Sequence, residues 1–264
     1  LDFASSSQTS FTVSVLNWWN IHLSSKTITL AITSGQTMRG TYNCALYDST
    51  LKLNSGKFSC GQTNFASSFG YSSVEESNTY TAKCHFMLNT FKQTLGKLLC
   101  NEFSIESGVT SLQLSTENNA IIRFSNCGLG DSFFSLNGGF VECGPTTMSN
   151  SASITMTTNS QFTMDSLVVQ GQTLSLLNGQ SIVTGTLSLS QSSANFYFGT
   201  GKLTASKCDF KGKTVNVKSG SLKCTELLVD GNSVINIESG ITFEIATITS
   251  SGNKISISGA DVSV

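Results

Sequence analysis

The chain's eight cysteines are the residues whose type and spacing most directly suggest chemistry. They fall in pairs sixteen apart: Cys44 with Cys60, Cys84 with Cys100, Cys127 with Cys143, and Cys208 with Cys224. Metal binding would need closely spaced donors, but there is no CxxC, and the only histidines are His22 and His85. No metal site is therefore expected. Buried free thiols, packing as small apolar residues, are one reading. The constant spacing favours the other, four disulfides joining 44 to 60, 84 to 100, 127 to 143 and 208 to 224. Continuing the spacing lands on Leu167 and Val183, then on Ile248 and Val264, all apolar. Every slot pair is thus wholly cysteine or wholly apolar, as a bridge requires, because an orphan thiol gains nothing. The apolar substitutes also place the slots against a core. Each bridge closes a short loop and is expected to stabilise the fold by about 3 kcal/mol. Disulfides imply an oxidising compartment, so a secreted or cell-surface protein is expected.

The elements that position these slots show in the apolar pattern. Two apolar residues separated by one recur at Leu30/Ile32, Leu51/Leu53, Leu112/Leu114, Phe134/Leu136, Ile154/Met156 and Leu174/Leu176. They continue at Phe196/Phe198, Val215/Val217, Ile235/Ile237 and Ile255/Ile257, and Phe91 fills one slot alone. Such a pair puts both side chains on one face of a strand. A glycine follows many of the pairs (Gly35, Gly56, Gly139, Gly179, Gly201, Gly220, Gly240), where a tight corner needs positive φ. First cysteine slots are 40, 43, 40, 41 and 40 residues apart. The pattern predicts an all-β, single-domain parallel β-helix or solenoid. Each rung has about 20 residues, a double rung about 41, and pair stacks on pair. Residues 1–28 read as an N-terminal strand or cap. Residues 29–264 read as about six double-rung units, the last incomplete. Alternate rungs should differ in corner length, and the rung between Leu53 and Phe91, irregular at Phe69–Gly70–Tyr71, should contain a bulge or loop. A helical reading fails for want of an i, i+3, i+4 pattern.

This architecture resembles that of extracellular parallel β-helix repeat proteins, over roughly residues 25 to 264. No family motif accompanies the resemblance, so it implies a fold and no functional residues. Pectate-lyase-like enzymes share the architecture, and their sites need clustered carboxylates with Arg or Lys. Here only Arg39 and Arg123 exist, and Asp165, Asp209, Asp230, Glu238 and Glu244 do not form one column. Asp209 and Asp230, 21 apart, could reach neighbouring rungs, but they read as solvated surface residues. No enzyme activity, catalytic residue or cofactor is expected.

Composition narrows the rest. Charged residues are 12% and the net charge is −1, too little to drive binding to nucleic acid or anionic lipid. Ser and Thr number 75, which could suggest a disordered stalk, but 39% of residues are apolar and regularly spaced. No apolar run is long enough for a membrane span. The chain opens at Leu1 without methionine and reads as a trimmed product. None of its 20 asparagines begins an N-x-S/T acceptor, as expected of a surface kept clear for close packing against neighbours.

Trp18, Trp19 and His22 form an aromatic cluster that would cap the first rung or contact a glycan. Threonine pairs such as Thr27/Thr29, Thr155/Thr157 and Thr247/Thr249 do not recur at the rung spacing, against an ice-binding ladder. Ile255, Ile257, Val262 and Val264 carry the repeat to the last residue without a polar cap. They are expected to be an assembly end, met by a second copy head to tail or by adjoining repeats of a longer chain. The function expected is a structural subunit of an extracellular filament, wall or surface coat. The alternatives are a glycan-binding adhesin or lectin, and a polysaccharide-active β-helix enzyme.

Overall fold

The computed structural model describes residues 10–13, 17–24, 27–32, 37–55, 57–73, 79–93, 97–105, 111–116, 121–130, 133–149, 152–251, 256–258 and 261–263. They form a single-domain, all-β parallel β-solenoid of about 21 residues per turn. Backbone contacts gather into two compact units: 1–127 with 136–142, and 128–135 with 143–264.

The second unit shows how a turn is built. The strand Thr173–Leu189 buries Leu174, Leu176, Val183, Leu187 and Leu189 by strict alternation, broken at two places. Its ladder to the strand Ser153–Val169 runs in three segments, 153–156, 161–164 and 167–169, separated by register shifts. These segments are the three sides of the turn, and the shifts are corners. Stacking turns builds columns of inward side chains. On the first side Leu174, Phe196, Val217 and Ile237 stand in one column. The second side stacks Met164, Val183, Ala205, Cys224 and Ile245, and the third Leu167, Leu187, Cys208, Leu227 and Ile248. Full burial of one such Leu, Val or Phe stabilises by about 1.5–3 kcal/mol, so the columns dominate the fold's energetics. Phe196 packs against Phe198 and Phe210 at centroid distances of 5.9 and 6.0 Å.

The first unit repeats the plan. Met38, Phe58, Tyr80, Leu98 and Ile122 share one column. Another holds Ile21, Cys44, Thr63, Cys84, Phe103 and Cys127. From Cys44 its steps are 19, 21, 19 and 24 residues, so cysteine recurs on every second turn and alternate turns differ in length. That alternation is the double-rung repeat. The strand Ser10–Val13 ladders onto Thr27–Ile32, and Asn17–Ser24 onto Thr37–Ser55, so parallel pairing reaches back to Ser10.

Three details depart from the sequence expectations. Ile154 pairs with Leu176, not Leu174; Phe196 with Val217, not Val215; and Ile235 with Ile257, not Ile255. Each is a slip of two residues, which keeps every side chain on its own face because the pleat has period two. Second, the irregularity expected in the rung of Phe69–Gly70–Tyr71 is present, but not at that triplet. The triplet stays laddered to Ser49–Thr50–Leu51, and the irregularities fall just before, at Tyr47/Ser49 and Ser67/Ser68. Third, Gly201 is not a positive-φ corner; that conformation belongs to Gly199. Gly201 is needed for close approach, since a Cβ there would collide with the Asn178 carbonyl oxygen. Gly139, Gly179, Gly220 and Gly240 do have positive φ, while Gly35 and Gly56 lie outside the described residues.

Candidate functional site

Disulfides join Cys44 to Cys60, Cys84 to Cys100 and Cys208 to Cys224, with Cα separations of 6.1, 5.5 and 5.8 Å. Cys127 and Cys143 are disulfide-bonded as well. None of the first three bridges joins residues that face each other across a ladder. Cys208 ladders with Leu187 and Leu227, whereas Cys224 ladders with Ala205 and Ile245. The bond therefore crosses a corner diagonally, from the third side of one turn to the second side of the next. This is why the spacing is sixteen rather than a full turn. On the preceding turn, the residue laddered with the second cysteine is small each time: Gly40 beside Cys60, Ala82 beside Cys100, Ala205 beside Cys224. A small side chain leaves the inner corner free for two sulfurs. The cysteines are at most 6% exposed. In the slots without cysteine, Leu167 and Val183 are fully buried, whereas Ile248 is 36% exposed; Val264 lies outside the described residues. Bridges of this kind suggest an oxidising, extracellular-type environment.

The acidic residues have structural partners. Asp209 ladders with Ser188 and Leu228, so Asp230 is offset from it by two positions. The Asp230 carboxylate accepts hydrogen bonds from the backbone N–H of Gly212 (2.9 Å) and Asn232 (3.0 Å) and from the Ser233 hydroxyl (3.1 Å). Those backbone donors, Asn232 foremost, hold its pKa below the usual carboxylate range. It ties one corner to the corner of the turn before. Cations and anions pair from turn to turn as well: Arg123 with Glu142, Lys207 with Glu226, Lys218 with Glu238, and Lys223 with Glu244. In each pair the cation precedes the anion by about one turn. Hydrogen bonding to Lys207 and then Thr249 lowers the pKa of Glu226, and the Lys223 hydrogen bond lowers that of Glu244. The Glu238 hydrogen bond raises the pKa of Lys218. These exposed pairs are screened by solvent and add little beside the core.

No family model, curated protein or solved structure matches this chain. Among the described residues, no three His, Cys, Asp or Glu side chains gather where they could hold a metal ion. No helix there is long and apolar enough to cross a membrane. Trp18 ladders with Gly40, with an irregularity between Trp18 and Asn20. The side chains of Trp18 and Trp19 lie outside the described residues, as do Ile255 and Val264. Ile257 pairs with Ile235 and Val262 with Phe243, so both continue the parallel ladders. The threonine pairs are not laddered with one another: Thr29 faces Ser10 and Lys52, Thr155 faces Leu177, and Thr247 faces Glu226.

The register also reveals a feature that sequence reasoning missed. Asn195, Asn216 and Asn236 stand in one outward column. The Asn216 amide N–H donates to the Asn195 oxygen at 3.0 Å, and the Asn236 amide to the Asn216 oxygen at 2.7 Å. The signal was present but misaligned. Asparagine separates Val215 from Val217 and Ile235 from Ile237, but Tyr197 separates Phe196 from Phe198. The two-residue slip brings Asn195 into line.

Proposed function

We propose that the chain is a non-enzymatic structural subunit of an extracellular filament, wall or surface coat. Its turns would be continued end to end by a second copy or by adjoining repeats of a longer chain. The observation that carries this reading is Ile248. It stands in the inward column of Leu167, Leu187, Cys208 and Leu227, which are all fully buried, yet it is 36% exposed. A slot of this column is covered wherever another turn of the same kind stacks on it, and a contact that repeats head to tail does not close on itself. The corner disulfides suit such a role, since they staple successive turns and persist outside the cell. Carboxylates committed to corners and ion pairs support a structural reading over a catalytic one.

Electron microscopy of the purified chain at rising concentration tests the proposal. Filaments many times longer than one molecule are expected, and Ile248→Lys should prevent them while leaving the disulfides and circular dichroism unchanged. Single particles at every concentration, or filaments indifferent to Ile248→Lys, would overturn it.

A further inference from the structure

The turns on either side of a disulfide close it off. Cys208 stands in its inward column between Leu187 on the turn before and Leu227 on the turn after, and Cys224 stands between Ala205 and Ile245. Both cysteines are 0% exposed, and none of the four flanking side chains is more than 4% exposed. The Cys84–Cys100 bridge sits the same way. Cys84 ladders with Thr63 and Phe103, Cys100 ladders with Ala82 and Phe124, and each cysteine is 1% exposed. Ladder neighbours stand about 4.8 Å apart in a close-packed core, so no further group enters between them. A disulfide forms by exchange, through a mixed disulfide that carries half of the donor on one cysteine. Such an adduct has no place in an inward column of the finished fold. Each bridge nevertheless has a stage at which it is open. The pairs 44–60, 84–100, 127–143 and 208–224 follow one another without nesting or crossing, so each closes a loop at one corner. Cys208 and Cys224 can meet before residues 242–250 lie down on 221–229, the step that puts Ile245 over Cys224.

We propose that thiol oxidation precedes stacking: each bridge is made by thiol–disulfide exchange on an open corner, and the following turn then seals it. At the corner of Cys208 and Cys224, one cysteine thiolate attacks a small disulfide, releases one thiol and keeps the other half as a mixed disulfide. The second cysteine thiolate attacks the cysteine sulfur of that adduct and releases the second thiol. The two cysteines lose two protons and two electrons, and the small disulfide is reduced to two thiols. The reaction that must act upstream is therefore a disulfide exchange on the unstacked chain. After stacking, the bridges are closed to exchange in both directions. This order holds whether or not copies of the chain join end to end.

Reduction of the full oxidised chain by dithiothreitol tests the seal, with an alkylating label, mass mapping of each bridge, and parallel samples with and without urea. Without urea, Cys84–Cys100 and Cys208–Cys224 should open at least about a hundredfold more slowly, because only a locally opened fraction reacts. Ile245→Gly strips the cover from Cys224. It should speed the opening of Cys208–Cys224 by roughly tenfold or more and leave Cys84–Cys100 as slow as before. In the forward direction, reduced chain is diluted out of urea with oxidised glutathione present throughout, or added once circular dichroism is constant. Early addition should give the bridges roughly tenfold faster or more. A reduced chain that stays unfolded until glutathione arrives would equally show that oxidation comes first. Equal reduction with and without urea would overturn the proposal, as would equally fast oxidation of the folded chain. So would acceleration of both bridges alike by Ile245→Gly, which would place the seal in the whole fold and not in the covering turn.

Discussion

At the scale of single residues, backbone conformation and packing can be separated by comparing two glycines. Gly220 and Gly240 both have φ near +78° (77° and 78°), where an L side chain is strained. A Cβ on Gly240 would meet nothing within 4 Å, but one on Gly220 would lie 2.5 Å from the Phe198 Cβ and 2.6 Å from the Gly201 carbonyl oxygen. Gly240→Ala should therefore cost only the conformational strain, about 1–2 kcal/mol. Gly220→Ala should cost roughly 3 kcal/mol or more, because packed backbone must also move. Urea titrations of the two variants would measure the difference, and equal midpoints would show that the corner relaxes freely. Asp230 makes a second test. Its folded-state pKa lies below that of the unfolded chain, so its contribution is present above the unfolded value and is lost as pH falls through the folded one. The urea midpoint of the parent should drop more steeply than that of Asp230→Asn between neutral pH and about pH 3. Parallel slopes would mean that the carboxylate's charge does not matter to the corner. The positive φ of both glycines was legible in the sequence, but the crowding at Gly220 and the reach of Asp230 were not. A glycine in a turn does not disclose which neighbour crowds it, and an aspartate near Gly-Asn-Ser does not disclose that it reaches a glycine eighteen residues back.

At the scale of elements, the disulfide is a property of a corner. The slots Leu167 and Val183 occupy the same places as Cys208 and Cys224 and are equally buried. Cys208→Ala with Cys224→Ala should cost about 3 kcal/mol under oxidising conditions. Cys208→Leu with Cys224→Val should recover part of this, because the pair restores the buried apolar volume found at the uncrosslinked corner. Denaturation midpoints of both doubles would show it; no recovery would mean that the corner beside Ala205 is shaped for sulfur alone. The pairing and the inward direction of these slots were readable from spacing and from their apolar substitutes. The diagonal path was not, because spacing along the chain does not say which side of the next turn a residue reaches. In hindsight a trace was present: Gly40, Ala82 and Ala205 precede the first cysteines by two to four residues.

At the scale of the whole molecule, a solenoid is stabilised turn by turn through nearest neighbours, so protection should follow coverage. Within the second unit, residues 246–250 are exposed, while 181 and 183 in an inner turn are buried. Hydrogen exchange should therefore be faster at 246–250 than at 181–183, and end-to-end association should slow it. Uniform exchange across the unit would argue that it opens as one cooperative body.

The sequence by itself determined which residues face inward, how often a turn recurs and where covalent staples fall. Those are consequences of the two-residue pleat and of repetition, and both are written in the chain. Which inward residue lies above which was decided only by the tertiary structure. A slip of two leaves every face unchanged and costs the hydrophobic pattern nothing. The choice falls to the corners, where positive-φ glycines, close backbone approaches and the Asp230 contacts set how many residues each bend consumes. The cysteines thus changed meaning between the two levels. Sixteen residues apart, they announce a pair; set across a corner, they show how one turn is held to the next.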